Sequence, residues 1–201
     1  MNRPNYMQEI RSRIEAAKTG SVFVASDFAD ITETKRISEY LVRLSVDNTV
    51  KCVMRGVFYK PEYSKLLGEY VAPAPDAVAH ALARNYGWTI FPCGDTALNL
   101  LGLSTQVPVV WSYVSDGPYK EYTYDNATIK YKHTTNKEVS GLSPKTALVI
   151  QALKTLGKDN VRNDVIERIK KETTPEERRT MLTEAQYATA WIYEIIKTIC
   201  R

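Results

Sequence analysis

The stretch that decides the fold is Thr32-Glu33-Thr34-Lys35-Arg36-Ile37-Ser38-Glu39-Tyr40-Leu41-Val42-Arg43-Leu44-Ser45-Val46, followed by Val50-Lys51-Cys52-Val53-Met54-Arg55-Gly56-Val57-Phe58-Tyr59-Lys60. Ile37, Tyr40, Leu41 and Leu44 recur at helical spacing and predict a helix from Glu33 to about Val46, capped by Thr32. Lys35, Arg36, Ser38, Glu39 and Arg43 fall on its opposite face. Val50 to Met54 and Val57 to Lys60 read as strands, with Arg55-Gly56 as a tight turn in which glycine can take positive φ. A β-hairpin therefore follows the helix directly.

Upstream, Tyr6, Ile10, Ile14 and Ala17 predict a helix from Tyr6 to about Lys18, stopped by Gly20. Val22 to Val24 is a short strand, and Ser26 is placed to cap a short helix from Asp27 to Asp30. Helix, short strand, short helix, longer helix and hairpin is the order of a winged helix-turn-helix, whose third helix enters the major groove of DNA while the wing touches the backbone. Lys35, Arg36 and Arg43 can pair with phosphate or with the acceptor edge of guanine, and Thr34 and Ser38 can hydrogen-bond phosphate or base. Lys51 and Arg55 on the wing would hold phosphate. Glu39 runs against this pattern, since a carboxylate repels phosphate, although it can accept from cytosine N4. The competing reading of the same charges is a solvated surface helix.

With 201 residues the chain has room for two domains. The expectation is an α+β protein: residues 1–70 form the winged helix-turn-helix, and 71–201 a mixed domain with a small antiparallel sheet and C-terminal helices. Glu69 to Pro75 reads as a linker, Asp76 to Asn85 as a helix closed by Gly87, and Trp88 to Phe91 as a strand. Asp95 is placed to cap a short helix stopped by Gly102. Val109 to Val114, Glu121 to Tyr124 and Thr128 to Lys132 read as strands of an antiparallel meander. Tyr113, Tyr119, Tyr122, Tyr124 and Tyr131 suit such a sheet, the less favoured alternative being a stacking platform for single-stranded nucleic acid. Ser143-Pro144 opens a helix through Leu156, and another spans about Val161 to Lys171. Thr174 with Glu177 forms a capping box for a helix reaching Ile199, broken near Thr183, with Tyr187, Trp191, Ile195 and Ile199 as its core stripe.

The 44% hydrophobic and 25% charged composition is that of a folded globular chain, and a net charge of +4 permits a polyanionic partner without requiring one. The run from Met1 to Tyr6 lacks the apolar segment of a secretory signal, and no apolar run is long enough to cross a bilayer. Cys52, Cys93 and Cys200 are odd in number and widely spaced, as expected of reduced thiols in the cytoplasm. His80 and His133 have no Cys, Asp or Glu at metal-ligand spacing, there is no Asp-x-Asp pair, and Asp27/Asp30 and Asp164/Glu167 read as surface carboxylates. No catalytic residue, cofactor or metal is expected, and the chain reads as a non-enzyme.

The runs Gly20-Ser21-Val22-Phe23-Val24-Ala25-Ser26-Asp27-Phe28 and Arg55-Gly56-Val57-Phe58-Tyr59-Lys60-Pro61 resemble the N-terminal domain of AbiEi-type antitoxins, regulators from abortive-infection loci of type IV toxin–antitoxin systems. Thr96-Ala97-Leu98-Asn99-Leu100-Leu101-Gly102-Leu103-Ser104-Thr105-Gln106-Val107-Pro108 and Ser115-Asp116-Gly117-Pro118 are similar to the start of that family's second domain. The resemblance implies an antitoxin that represses its own operon at repeats in the promoter and counteracts a nucleotidyltransferase toxin without a stable complex. Its partners would be double-stranded promoter DNA and further copies of itself on that DNA, with no membrane. The alternative is a winged-helix protein-interaction module, or a transcriptional regulator with no antitoxin role. The first seventy residues hold eleven Lys or Arg against nine Asp or Glu, so a DNA surface requires segregation of charge.

Overall fold

The computed structural model describes residues 5–134 and 141–201, so the first four residues of the N-terminal run discussed above lie outside the described residues. The fold is mixed α+β, and the chain divides into two compact units, up to Trp88 and from Thr89 to Arg201.

In the first unit, α1 (Tyr6–Ala16) buries Ile10 and Ile14, and the Asn5 side chain accepts from the Gln8 amide at its start. β1 (Val22–Phe23) leads into a 3-10 turn at Ala25–Phe28, then α2 (Thr34–Val46), β2 (Lys51–Met54) and β3 (Val57–Tyr59). The strands form an antiparallel sheet in the order β1-β3-β2, and the β2–β3 turn places Gly56 at a φ of 81°. Ile10, Ile14, Phe23, Phe28, Ile37, Leu41, Leu44, Val50 and Phe58 make one core. Each such side chain contributes about 1.5–3 kcal/mol on burial, more than any helix propensity, so the apolar stripe of α2 decides its seat.

Three expected caps do not form. The turn at residues 25–28 is held by Asp27, whose carboxylate accepts from the Val24 amide at 2.9 Å, and Ser26 does not cap it. At α2 the N-cap position belongs to Glu33, with no side-chain cap bond, and Thr32 lies outside. The helix expected behind Asp95 starts on Asp95 itself, with Gly94 at the cap position and a φ of 60°. A cap needs extended backbone at one residue, and composition alone does not locate it.

The stretch expected as a linker begins as a second hairpin instead. β4 (Glu62–Ser64) pairs antiparallel with β5 (Glu69–Val71), and Tyr63 meets Tyr70 edge-on at 5.2 Å between ring centroids. Strands of three residues leave almost no alternation to read, and the cross-strand tyrosine pair supplies their contact. α3 (Pro75–Tyr86) ends on Gly87 at a φ of 68° and belongs to the first unit, placing the division beyond residue 70. Its Arg84 donates to the Asp27 carboxylate at 2.8 Å and to the Val22 carbonyl at 3.2 Å.

The second unit comprises β6 (Ile90–Pro92), α4 (Asp95–Leu100), β7 (Val110–Ser115), β8 (Lys120–Tyr124) and β9 (Ala127–His133), then α5 (Pro144–Leu156), α6 (Asn163–Lys171), α7 (Pro175–Glu184) and α8 (Ala190–Cys200). Its sheet runs β6-β7-β9-β8, and β7 and β9 are parallel, with Val110 opposite Thr128 and Tyr113 opposite Tyr131, so the meander does not hold. β8 exposes Lys120, Glu121 and Thr123 and occupies the edge, while β9, which buries Ile129 and Tyr131, takes the interior. Polar strands suit edges, where unpaired backbone meets water. Tyr113, Tyr124 and Tyr131 are buried, so their rings offer no stacking platform.

Ser143 caps α5 as expected, and Thr174 and Glu177 form the capping box of α7, with bonds of 3.2 and 2.7 Å. The core stripe of α8 is Ile192, Ile196 and Ile199, not the expected Trp191 and Ile195, and Tyr187 is 90% exposed. A 3-10 turn at Ala185–Tyr187 separates α7 from α8 and resets the helical phase. No helix among the described residues is long and apolar enough to cross a membrane.

Candidate nucleic-acid interface

Thr34, Lys35, Arg36, Ser38 and Arg43 all lie on the exposed side of α2, while Ile37, Leu41 and Leu44 anchor the other side. Two of the five are engaged within the helix. The Ser38 hydroxyl donates to the Thr34 carbonyl at 3.0 Å, leaving its oxygen as an acceptor only, and Arg36 Nε sits 2.7 Å from Glu33 Oε1. Arg43 lies over the Tyr40 ring at 6.0 Å, and Lys35 has no ion-pair partner among the described residues.

Arg55 stands exposed at the β2–β3 turn. Lys51 turns toward the second hairpin, its ammonium 3.9 Å from the Tyr70 ring centroid, a cation–π contact that holds the two hairpins together. The sequence reading missed this link, together with the exposure of Val42 (55%) and Val46 (79%) on the outer side of α2. Val42 lies three residues beyond Glu39 and Val46 three beyond Arg43, so helical spacing alone was enough to find them.

Three acidic residues of this unit are engaged by arginines outside α2. Asp30 pairs with Arg13 through bonds of 2.7 and 2.9 Å, Asp27 pairs with Arg84 at 2.8 Å, and Asp47 pairs with Arg11. Lys35, Arg43, Lys51 and Arg55 hold no carboxylate among the described residues, so a modest net charge still leaves cations uncompensated on α2 and the first hairpin. Glu39 remains exposed among them.

Asp47, just past the end of α2, also fixes the helix to α1. The Thr49 hydroxyl and amide donate to it at 2.6 and 3.0 Å, and Arg11 bridges Asp47 and Thr49. The Thr49 hydroxyl first, and then the Arg11 guanidinium, hold its carboxyl down at about 2, below the ordinary 3.8. A depressed folded value means that this contribution to stability is complete above pH 3.8 and is lost as pH falls through about 2. Chemical denaturation of the wild type and Asp47→Asn from about pH 5 to 2 should show their stability difference shrinking toward the acid end; a gap that stays constant with pH would remove Asp47 from this role.

His80 Nε2 lies 3.7 Å from the Asp76 carboxylate one turn earlier on α3. Among the described residues no three His, Cys, Asp or Glu side chains come together to hold a metal ion, and the cysteines are free.

A family model described as a family of unknown function, DUF6088, matches residues 9–181. No curated protein matches the chain.

Proposed function

The chain belongs to the DUF6088 family, whose description assigns no activity, and from its own residues we propose that it is a DNA-binding antitoxin that represses its own operon and counteracts a nucleotidyltransferase toxin. On this reading the first unit carries a winged helix-turn-helix, α2 is the recognition helix, and the β2–β3 hairpin is the wing. The observation that carries it is α2 itself: apolar on one side and seated in the core, with Lys35 and Arg43 outward and holding no carboxylate among the described residues, directly followed by a hairpin. The sheet order β1-β3-β2, in which the strand between the first two helical elements pairs with the hairpin, supports the same reading. The antitoxin role rests on the resemblance in sequence alone.

The test is binding of the full chain to its own upstream promoter duplex and to a scrambled duplex at two salt concentrations. The expected result is selective binding that weakens steeply with salt, because each phosphate neutralised releases counterions. Equal binding to both duplexes would reject the regulator. Co-expression with the adjacent toxin gene, read as rescue of growth, tests the second half of the proposal.

The second hairpin favours one other reading, a protein-interaction module. Leu66 at its tip is 94% exposed, and Leu67, Tyr63 and Tyr70 are exposed beside it. Partner binding insensitive to salt, with no DNA affinity, would favour that module.

A further inference from the structure

A cavity of about 510 Å³ opens in the second unit where α5 meets the end of α7 and the 3-10 turn that follows it. Ala147, Ile150, Gln151 and Lys154 share one face of α5 at helical spacing and line it, and Leu142, Glu184, Tyr187 and Ala188 line it as well. Its volume falls within the range of small-molecule sites, roughly 300–1,000 Å³, and its lining has their character, apolar with a few polar groups.

Gln151 is the residue that packing does not explain. It is 7% exposed, and no group among the described residues hydrogen-bonds its side-chain amide. A buried amide left without a partner costs more than an ordinary hydrogen bond returns, and leucine would serve the core better at this position. Its nitrogen and oxygen are not among the fully enclosed polar atoms that lack a partner, so they reach the cavity that the residue lines.

Other polar groups of the lining are already committed. Glu184 Oε2 accepts from the Ser143 amide at 2.9 Å and from the Ser143 hydroxyl at 2.7 Å, and the Thr183 hydroxyl donates to the Arg179 carbonyl at 3.4 Å. Lys154 and Glu184 bring one charge of each sign, so the lining favours neither an anion nor a cation. What remains open is a donor and an acceptor held side by side in the plane of an amide. Their complement is an uncharged edge with an acceptor next to a donor, and the apolar walls call for a flat apolar body behind it. Nucleobases have both; adenine, for one, pairs with a glutamine amide through N6 and N7. Tyr187, 90% exposed and also lining the cavity, offers a ring on which a base can stack.

We propose that this cavity binds a single uncharged nucleobase, as the free base or its nucleoside, with the Gln151 amide pairing with its edge and the Tyr187 ring stacking on its face. The site stands or falls independently of the DNA-binding reading of α2.

The test titrates the full chain with adenosine, guanosine, cytidine and uridine and follows the amide NMR spectrum, in which the Gln151 side chain is itself observed. At least one nucleoside should shift that side-chain amide together with the backbone amides of Ala147, Ile150 and Ala188. Gln151→Met keeps the length of the side chain and removes both hydrogen bonds, so affinity should fall about tenfold. Its melting temperature should not fall, because an unpartnered amide leaves the interior. Tyr187→Ala, at an exposed position that the fold does not need, should weaken binding roughly fivefold or more by loss of stacking.

If none of the nucleosides at millimolar concentration moves the lining resonances, the cavity takes solvent only and the proposal is overturned. Binding that Gln151→Met leaves unchanged overturns it equally. Should that variant lose its fold, Tyr187→Ala decides alone, and unchanged binding there rejects the site.

Discussion

Leu41→Ala should lower the stability of the first unit by about 2–5 kcal/mol, whereas Val42→Ala, one residue further along the same helix, should change it by well under 1 kcal/mol. Leu41 is 1% exposed and meets the other buried side chains of the unit's core, so truncation removes both its transfer energy and the atoms around which its neighbours close. The range is wide because the cost depends on how far Ile37, Leu44 and Phe58 can relax into the space. For a unit of this size each kcal/mol moves the midpoint by several degrees, so a fall on the order of 10 °C in its unfolding transition is expected. Hydrogen exchange on the α2 amides resolves this unit from the second one, which a single melting curve would blend. Equal effects of the two substitutions would mean that α2 is not seated through the Ile37–Leu41–Leu44 stripe, and the outward placement of Lys35 and Arg43 would lose its basis.

That stripe was legible in the sequence because burial on one side of a helix imposes a period that nothing else imitates. The same holds for α1, for the β2–β3 hairpin with its obligatory Gly56, and for the capping box of Thr174 and Glu177. What stayed hidden obeys longer-range rules. The parallel pairing of β7 with β9 depends on which strand can tolerate the edge, a comparison among strands far apart in the chain. The phase of α8 depends on a 3-10 turn that ends α7, and a shift of one residue moved the core from Ile195 to Ile196. The hairpin of Glu62–Ser64 and Glu69–Val71 is too short for alternation to emerge, and its tyrosine pair is visible only once the register is known.

The candidate interface was legible to the same degree and for the same reason. Thr34, Lys35, Arg36, Ser38 and Arg43 lie on the exposed side because the apolar positions between them are buried. The pairing of each charge was not legible. Arg13, Arg84 and Arg11 reach Asp30, Asp27 and Asp47 across 17, 57 and 36 residues of sequence, and these pairs convert a nearly neutral unit into one with separated charge. The short-range pair of Arg36 with Glu33 follows helical spacing, and it separates Arg36 from Lys35 and Arg43 in expected effect.

Lys35→Ala with Arg43→Ala should weaken promoter binding by about thirtyfold or more at low salt, since each side chain of a base contact or a comparable phosphate contact carries about 1–3 kcal/mol and about 1.4 kcal/mol is tenfold. Arg36→Ala should do less, since its guanidinium is already engaged by Glu33. The salt dependence tells the two kinds of contact apart. If both side chains hold phosphate, the slope of log affinity against log salt should fall by nearly two in the double variant, whereas base contacts would lower affinity and relax selectivity with less change in slope. Both residues are exposed, so the fold should be unaffected and the circular dichroism spectrum unchanged. Promoter selectivity that survives the double substitution would remove α2 as the recognition element even if the protein binds DNA, and would turn attention to the exposed tip of the second hairpin.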